Sequence, residues 1–443
     1  MFGVAQLGFG RSLMKYIAKY KAYNDYDSIS KLSQTIFISV FILIGVVSVI
    51  SYPLLLSLLE YSIEGEEVLL AKDILWIVIL IFFIKNTFGI YTSLLDGLQR
   101  MDVRGIIVIF STIVFFVLTI ILVPHYNIYG VIYAQLVQAV IPPVFSVIFL
   151  KYKYKKIKIF PVAWSKKLFL ETYSYGMKFQ FISICQMLID PLAKALLSKF
   201  GGLSTVTYYE MANKMLSHLR LLVVYAADSI IPVVAELFEK DPSKIKTVYR
   251  KTYDLVFIVS ISGFLMIAIS SPFISYLWIG EVNELFVLFV SILSLSILLS
   301  SLSMPAYQVN MGTGRLKANL LSNLILSVLN VSLGYALGYL YQGIGVVIGL
   351  SISIFISACI VFYYFFKENN LGYSSLVSRE NKQFFLISIS TFITLFLFNV
   401  FFYEREFFLI INLASSLIYS AFVLFALWHN KHGIYIIRKI LKR

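Results

Sequence analysis

Long apolar stretches alternate with short polar connections from one end of the chain to the other. They run over roughly 1–20, 33–58, 72–95, 104–124, 129–151, 173–199, 206–236, 253–279, 285–310, 316–341, 343–367, 383–402 and 406–428. Most exceed the about 18 consecutive apolar residues that a helix needs to span hydrocarbon. The pattern predicts an all-α polytopic membrane protein with about 13 transmembrane segments. The first segment is the weakest, because Arg11, Lys15 and Lys19 interrupt it.

Composition sharpens this and removes other classes. Of 443 residues, 59% are hydrophobic and 14% charged, against about 45–50% and about 25% in soluble domains. A soluble enzyme and a disordered chain both fit poorly, and no polar block is long enough for an extramembranous domain. Two cysteines, Cys185 and Cys359, lie in apolar segments, which excludes a disulfide scaffold. Four histidines are too scattered for a metal centre. A G-x-x-x-x-G-K-[ST] phosphate loop is lacking, and the Met1 end has no basic start and short apolar core of a signal peptide. No cofactor is expected. The net charge of +14 does not point to nucleic acid, because the basic residues alternate with the apolar spans.

That alternation sets an orientation. Every second connection is rich in Lys and Arg, and these connections hold 27 of the 37 basic residues. The intervening ones hold only Lys72, Lys199 and Arg405, with acids such as Glu60, Glu64, Glu66, Glu67, Glu281 and Glu284. Positive residues stay on the cytoplasmic side, so the long basic loop at 151–170 and the C-terminal tail are expected there.

The chain also repeats itself. Gly97 and Arg100 recur as Gly312 and Arg315, and Gly130-Val131 as Gly345-Val346, at an offset of 215. Ile17-Ala18, Asp25 and Pro53 match Val234-Ala235, Asp241 and Pro272 at offsets of 216–219. Two homologous halves of like orientation fit this pattern. The offset carries the counterpart of 173–199 to a point before Met1. One helix and part of the next are therefore expected to be missing from the first half, through a misassigned start or a truncated copy.

Several charges fall deep within apolar segments: Lys85, Asp190, Lys194, Lys214, Arg220 and Asp228. Each costs about 2.5–3.5 kcal/mol at a helix centre on insertion scales. Their spacing gathers them into stripes. Gln180, Ser183, Gln186, Asp190 and Lys194 share one face, and Glu210, Lys214, Ser217, Arg220 and Asp228 another. Lys85, Gly89, Thr92 and Asp96 form a third. Three polar faces predict a hydrated cavity that leans basic. Asp190 and Lys194 are i,i+4 and can also neutralise each other. Lys178 and Lys199, near helix ends, can snorkel. The Tyr and Phe residues could stack on sugars, although most suit interface belts and lipid-facing surface.

Certain motifs are familiar in this order. Ile17-Ala-Lys-Tyr-Lys-Ala-Tyr-Asn-Asp25 and Leu95-Asp-Gly-Leu-Gln-Arg-Met-Asp102 are followed by Tyr173-Ser-Tyr-Gly-Met177 with Asp190, then Ile231-Pro-Val-Val-Ala-Glu236 and Gly312-Thr-Gly-Arg315. Together they resemble the polysaccharide (O-antigen) flippases of the multidrug/oligosaccharidyl-lipid/polysaccharide exporter superfamily, from Met1 to about residue 430. The resemblance implies two pseudo-repeated helix bundles in a V plus two C-terminal helices, 14 spans in all. Here that maps to an incomplete N-terminal bundle at 1–160, a C-terminal bundle at 171–370 and an extra helix pair at 383–428. It implies a flippase, not an enzyme, for isoprenoid-diphosphate-linked oligosaccharides of surface polysaccharide such as lipopolysaccharide O-antigen, working by alternating access in the cytoplasmic membrane. Lys85, Lys194, Lys214 and Arg220 are the expected diphosphate contacts, and Asp190 a candidate ion-coupling site. Membrane lipid, the lipid-linked oligosaccharide, and glycosyltransferases or a polymerase of the same pathway are the expected partners. A cation-coupled multidrug exporter, a membrane-embedded glycosyltransferase or polymerase, and a non-transporting scaffold in polysaccharide assembly are the alternatives.

Overall fold

The structure, a computed structural model, describes residues 8–62, 67–160, 162–369, 379–402 and 407–429. Glu64, Glu66, Arg405 and the basic tail from Lys431 onward lie outside these residues. The described residues form thirteen α-helices and one 3-10 turn, Pro242–Lys244. In chain order the helices are α1 Phe9–Ala22, α2 Tyr26–Ser62, α3 Glu67–Phe88, α4 Ile90–Gly97, α5 Met101–Tyr126, α6 Ile128–Lys153 and α7 Lys166–Asp228. They continue as α8 Ile230–Lys240, α9 Ile245–Ile279, α10 Glu284–Thr313, α11 Lys317–Glu368, α12 Arg379–Phe401 and α13 Phe408–His429. Helix dominates because hydrocarbon offers no partner for backbone N–H and C=O groups, so each segment must satisfy its own.

Nine helical stretches among the described residues are long and apolar enough to cross a membrane. Two of them are too long for a single crossing. Residues 166–240 make 75 residues and α11 makes 52, about 110 Å and 78 Å at 1.5 Å per residue, against about 30 Å of hydrocarbon. Each breaks in the middle. In α7 the break is Gly202, at φ 78° and ψ 173°, a region essentially closed to any side chain. In α11 it is Tyr341 and Gln342, the latter at φ 53° and ψ −141°.

The 215-residue repeat is also a repeat of backbone conformation. Asn127, between α5 and α6, has φ 48° and ψ −128°, and Gln342 stands 215 residues later in nearly the same conformation. Gln99 at φ 61° corresponds to Gly314 at φ 81°. Just after the first pair, Gly130 and Gly345 let paired helices touch backbone to backbone. A Cβ on Gly130 would lie 2.6 Å from the Leu122 carbonyl carbon, and one on Gly345 would lie within van der Waals overlap of Leu337, again 215 residues on.

By their contacts the residues fall into two compact units, Met1–Ser183 with Ile231–Pro242, and Ile184–Ile230 with Ser243–Arg443. This division passes through α7. In the first unit α1 packs on α2 and α4, α3 on α6, and α5 on α6, with Leu13, Ile17, Ile29, Leu32, Leu94 and Leu95 fully buried. Asp25 caps α2 by accepting from the Ser28 N–H at 2.9 Å, and its bonds with Ser28 hold the carboxyl below the usual carboxylate range. Polar contacts tie α8 to this unit. Gln99 Nε2 donates to Glu236 at 2.6 Å, and Glu239 accepts from the Tyr23 hydroxyl at 2.9 Å and pairs with Lys19 at 3.6 Å.

In the second unit α10 packs between α9 and α11, and α12 and α13 pack on α9. Pro272 interrupts α9, and Asn412 of α13 enters the hydrogen-bond ladder beside it. Its carbonyl accepts from Phe273 N at 3.2 Å. Its Nδ2 donates to Ile269 O at 2.9 Å and to Asn399 Oδ1 at 3.0 Å. Phe273 N and Ile269 O are i→i−4 partners in a helix, so this one side chain bonds both members of a ladder step beside the proline and fastens the C-terminal pair.

Three substitutions separate these contributions in thermal unfolding in detergent. Asn412→Ala removes the partner of a buried carbonyl and of a part-buried N–H, at about 1–3 kcal/mol for each group left unpaired, and lowers the midpoint. Gly345→Ala destabilises by roughly 1–3 kcal/mol or more through overlap with Leu337. Gly105→Ala, with nothing within 4 Å of the added carbon, is neutral or gains up to about 1 kcal/mol of helix propensity.

Candidate functional site

The two arms of α7 are related by counting outward from Gly202. Lys194 lies eight residues before it and Glu210 eight after, so each is about 12 Å along its arm. They meet: Lys194 Nζ is 2.5 Å from Glu210 Oε2. One turn further from the break the same ammonium reaches Asp190 Oδ2 at 2.7 Å. The other Asp190 oxygen accepts from the Tyr209 hydroxyl and from Asn213 Nδ2, each at 3.2 Å. One cation thus serves two carboxylates, and the cluster has a formal charge of −1. A cavity of about 310 Å³ opens beside it, lined by Lys194, Val206, Thr207, Glu210 and Met211.

Further along the second arm the chemistry changes sign. Lys214 is exposed and Arg220 half-buried, and neither has an ion pair among the described residues. Seen down the helix they bound a polar stripe about 120° wide. Arg220 lies within electrostatic reach of Tyr307 on α10. The Tyr307 hydroxyl accepts from Asn323 Nδ2 at 3.3 Å. Asp228, at the end of the arm, accepts from Gln308 Nε2 at 2.6 Å.

The expected site residues therefore divide. Asp190 and Lys194 come together as an ion pair. Lys214 and Arg220 share the second arm without joining that pair. All four belong to the second unit, whereas Lys85 sits in the last turn of α3 in the first. Glu210, Tyr209 and Asn213 are the members of the cluster that sequence reasoning did not assign to the site. Gly201-Gly202 was the signal for them, since a hairpin there sets the residues of the two arms at matching heights.

A sequence profile described as polysaccharide biosynthesis protein matches residues 3–238. An uncharacterized membrane protein of Methanocaldococcus jannaschii is 24% identical over 252 residues, which cover 54% of this chain and 49% of that protein. The chain thus spans about half the length of this curated relative. Among solved structures, a MATE transporter in the bent conformation superposes with a TM-score of 0.73 at 17% identity, over 83% of this chain and 84% of that one. The Vibrio cholerae MATE transporter VcmN gives 0.69 at 14% identity, over 83% and 85%. A MOP-superfamily transporter from Pyrococcus furiosus gives 0.69 at 17%, with the same coverage. These likenesses show the fold, that of the MATE transporters. With more than half of its length matched by the profile, the chain belongs to the polysaccharide biosynthesis protein family.

Proposed function

We propose that this protein is a flippase that carries isoprenoid-diphosphate-linked oligosaccharides from the cytoplasmic to the outer leaflet of the cytoplasmic membrane. Its products would be repeat units of a surface polysaccharide, O-antigen being one such class. The observation that carries the reading is the pair of cations without carboxylate partners among the described residues, Lys214 and Arg220, on the polar stripe of the second arm. A diphosphate and a glycan cannot enter hydrocarbon without losing their water. Charge-assisted bonds from an ammonium and a guanidinium replace that water on the phosphate oxygens. The isoprenoid tail stays in the lipid, and alternating access moves the polar head. No covalent bond is made or broken, so the protein is a transporter and not an enzyme. Lys194 serves by balancing Asp190 and Glu210, and releases to the diphosphate only if those acids take up a proton or cation. That makes Asp190 and Glu210 the coupling pair. Lys85 supplies a further cation in the first unit. The lysine-rich connections support a cytoplasmic tail and 151–170 loop, on the side where glycosyltransferases of the same pathway would load the carrier.

A second reading rests on the cluster itself. A charge of −1 beside a cavity of about 310 Å³ suits a cationic guest, as in a cation-coupled multidrug exporter. The Pyrococcus furiosus neighbour is described as having a binding pocket of reverse polarity that suggests a different function. The fold thus accommodates either sign, and the unpaired cations favour the anionic substrate here.

Each charge-assisted bond is worth about 1.5–3 kcal/mol. The double substitution Lys214→Ala and Arg220→Ala therefore lowers polysaccharide export at least tenfold in a strain that depends on this gene, with the protein still present in the membrane. Lys214→Arg retains most of the export. Wild-type export by the double variant overturns the assignment.

A further inference from the structure

Two cavities in the first unit share a wall made by Lys151, Ile159 and Phe160. The first, about 580 Å³, is lined by Lys31 of α2, by Lys151 at the end of α6, and by Lys155 and Lys158 of the following loop, with Asp27 as its one carboxylate. Four cations against one anion leave a formal excess of +3. None of the four lysines has an ion pair among the described residues. The second cavity, about 460 Å³, is walled by apolar side chains such as Ile84, Phe88, Val144 and Ile148, with the Tyr91 ring among them. Lys151 stands between the two, its ammonium 5.0 Å from the Phe160 ring centroid.

The loop that carries these lysines is held in one shape by α2. Ser30 Oγ accepts from Lys158 N at 2.9 Å. Gln34 spans the loop, donating to Lys158 O at 2.9 Å and accepting from Ala163 N at 3.0 Å. Thr35 Oγ1 accepts from Ser165 N at 3.2 Å, and Trp164 Nε1 donates to Ser39 Oγ at 3.1 Å. Ile157 and Ile159 are buried, while Phe160 and Val162 are 69% and 87% exposed. Lysines interleaved with exposed apolar groups suit the boundary between head groups and acyl chains, because each half of the pattern finds its own solvent there. The lysine distribution places this boundary in the cytoplasmic leaflet.

We infer that the paired cavities bind one anionic phospholipid of the cytoplasmic leaflet. Its phosphate lies among Lys31, Lys151, Lys155 and Lys158, and one acyl chain fills the apolar cavity beside Phe88 and Ile148. A free anion would leave the apolar chamber unused, and a zwitterionic lipid would leave the +3 excess uncompensated. Basic pockets beside membrane helices on the cytoplasmic side recognise such head groups. This site does not depend on what the protein transports.

The test is native mass spectrometry of the full-length, detergent-purified chain titrated with phosphatidylglycerol or with phosphatidylcholine of the same acyl chains. The wild type retains one phosphatidylglycerol at least tenfold more tightly than phosphatidylcholine. The triple substitution Lys151→Ala, Lys155→Ala, Lys158→Ala abolishes that preference while the unfolding temperature in lipid-free detergent is unchanged. Ile148→Glu, on the exposed rim of the apolar chamber, weakens phosphatidylglycerol with all the lysines intact. A triple variant that keeps the preference overturns the proposal. So does displacement of the lipid by an equal concentration of inorganic phosphate, which would mark a simple anion site. Tighter retention of farnesyl diphosphate than of phosphatidylglycerol also overturns it, since that would mark a port for the carrier lipid.

Discussion

In a chain this apolar, a charge or backbone polar group within the hydrocarbon is costly unless it finds a partner in the chain or faces a polar cavity. The α7 hairpin answers this for charge. Gly202 turns the helix back so that Lys194 and Glu210 stand at equal heights, and Asp190 joins them through its i,i+4 spacing. Tyr209 and Asn213 both donate to the other oxygen of Asp190. Asn412 answers the same demand for the backbone, bonding Phe273 N and Ile269 O beside Pro272 in α9. In both cases a polar group that would be costly alone fixes which helices pack together.

The same constraint separates structural charge from available charge. Lys194 is committed to two carboxylates in a partly exposed cluster. Lys214 and Arg220 carry no such commitment. The carboxylates gather across the two arms of α7, whereas Lys214 and Arg220 lie further along the second.

Much of the fold was readable in the sequence. The helical class follows from apolar stretches of spanning length, and the duplication from Gly97 and Gly312. The structure adds that Asn127 and Gln342 share a rare backbone conformation at that same spacing, a geometric repeat that residue identity alone half conceals. The pairing of Asp190 with Lys194 was readable as one of two outcomes, because helical spacing puts them in reach without saying what else competes. Glu210 was seen only as part of a stripe, since its role depends on where the hairpin turns. The divided allegiance of α7 was not readable at all. Its first residues pack with α1 through contacts such as Phe9 with Tyr173, a long-range choice that no local pattern encodes. The same holds for the loop after α6, where Ser30, Gln34, Thr35 and Ser39 reach across more than 120 residues to shape it.

The central claim concerns the sign and kind of the cargo, and reconstitution tests it directly. Purified protein is placed in proteoliposomes that carry either a fluorescent isoprenoid-diphosphate oligosaccharide or a membrane-permeant cationic dye. Access of each to an impermeant quencher is followed over time. The account predicts that the protein speeds transbilayer movement of the lipid-linked glycan and leaves the dye unaffected. Dye movement driven by a proton or sodium gradient, with the glycan lipid static, would contradict it.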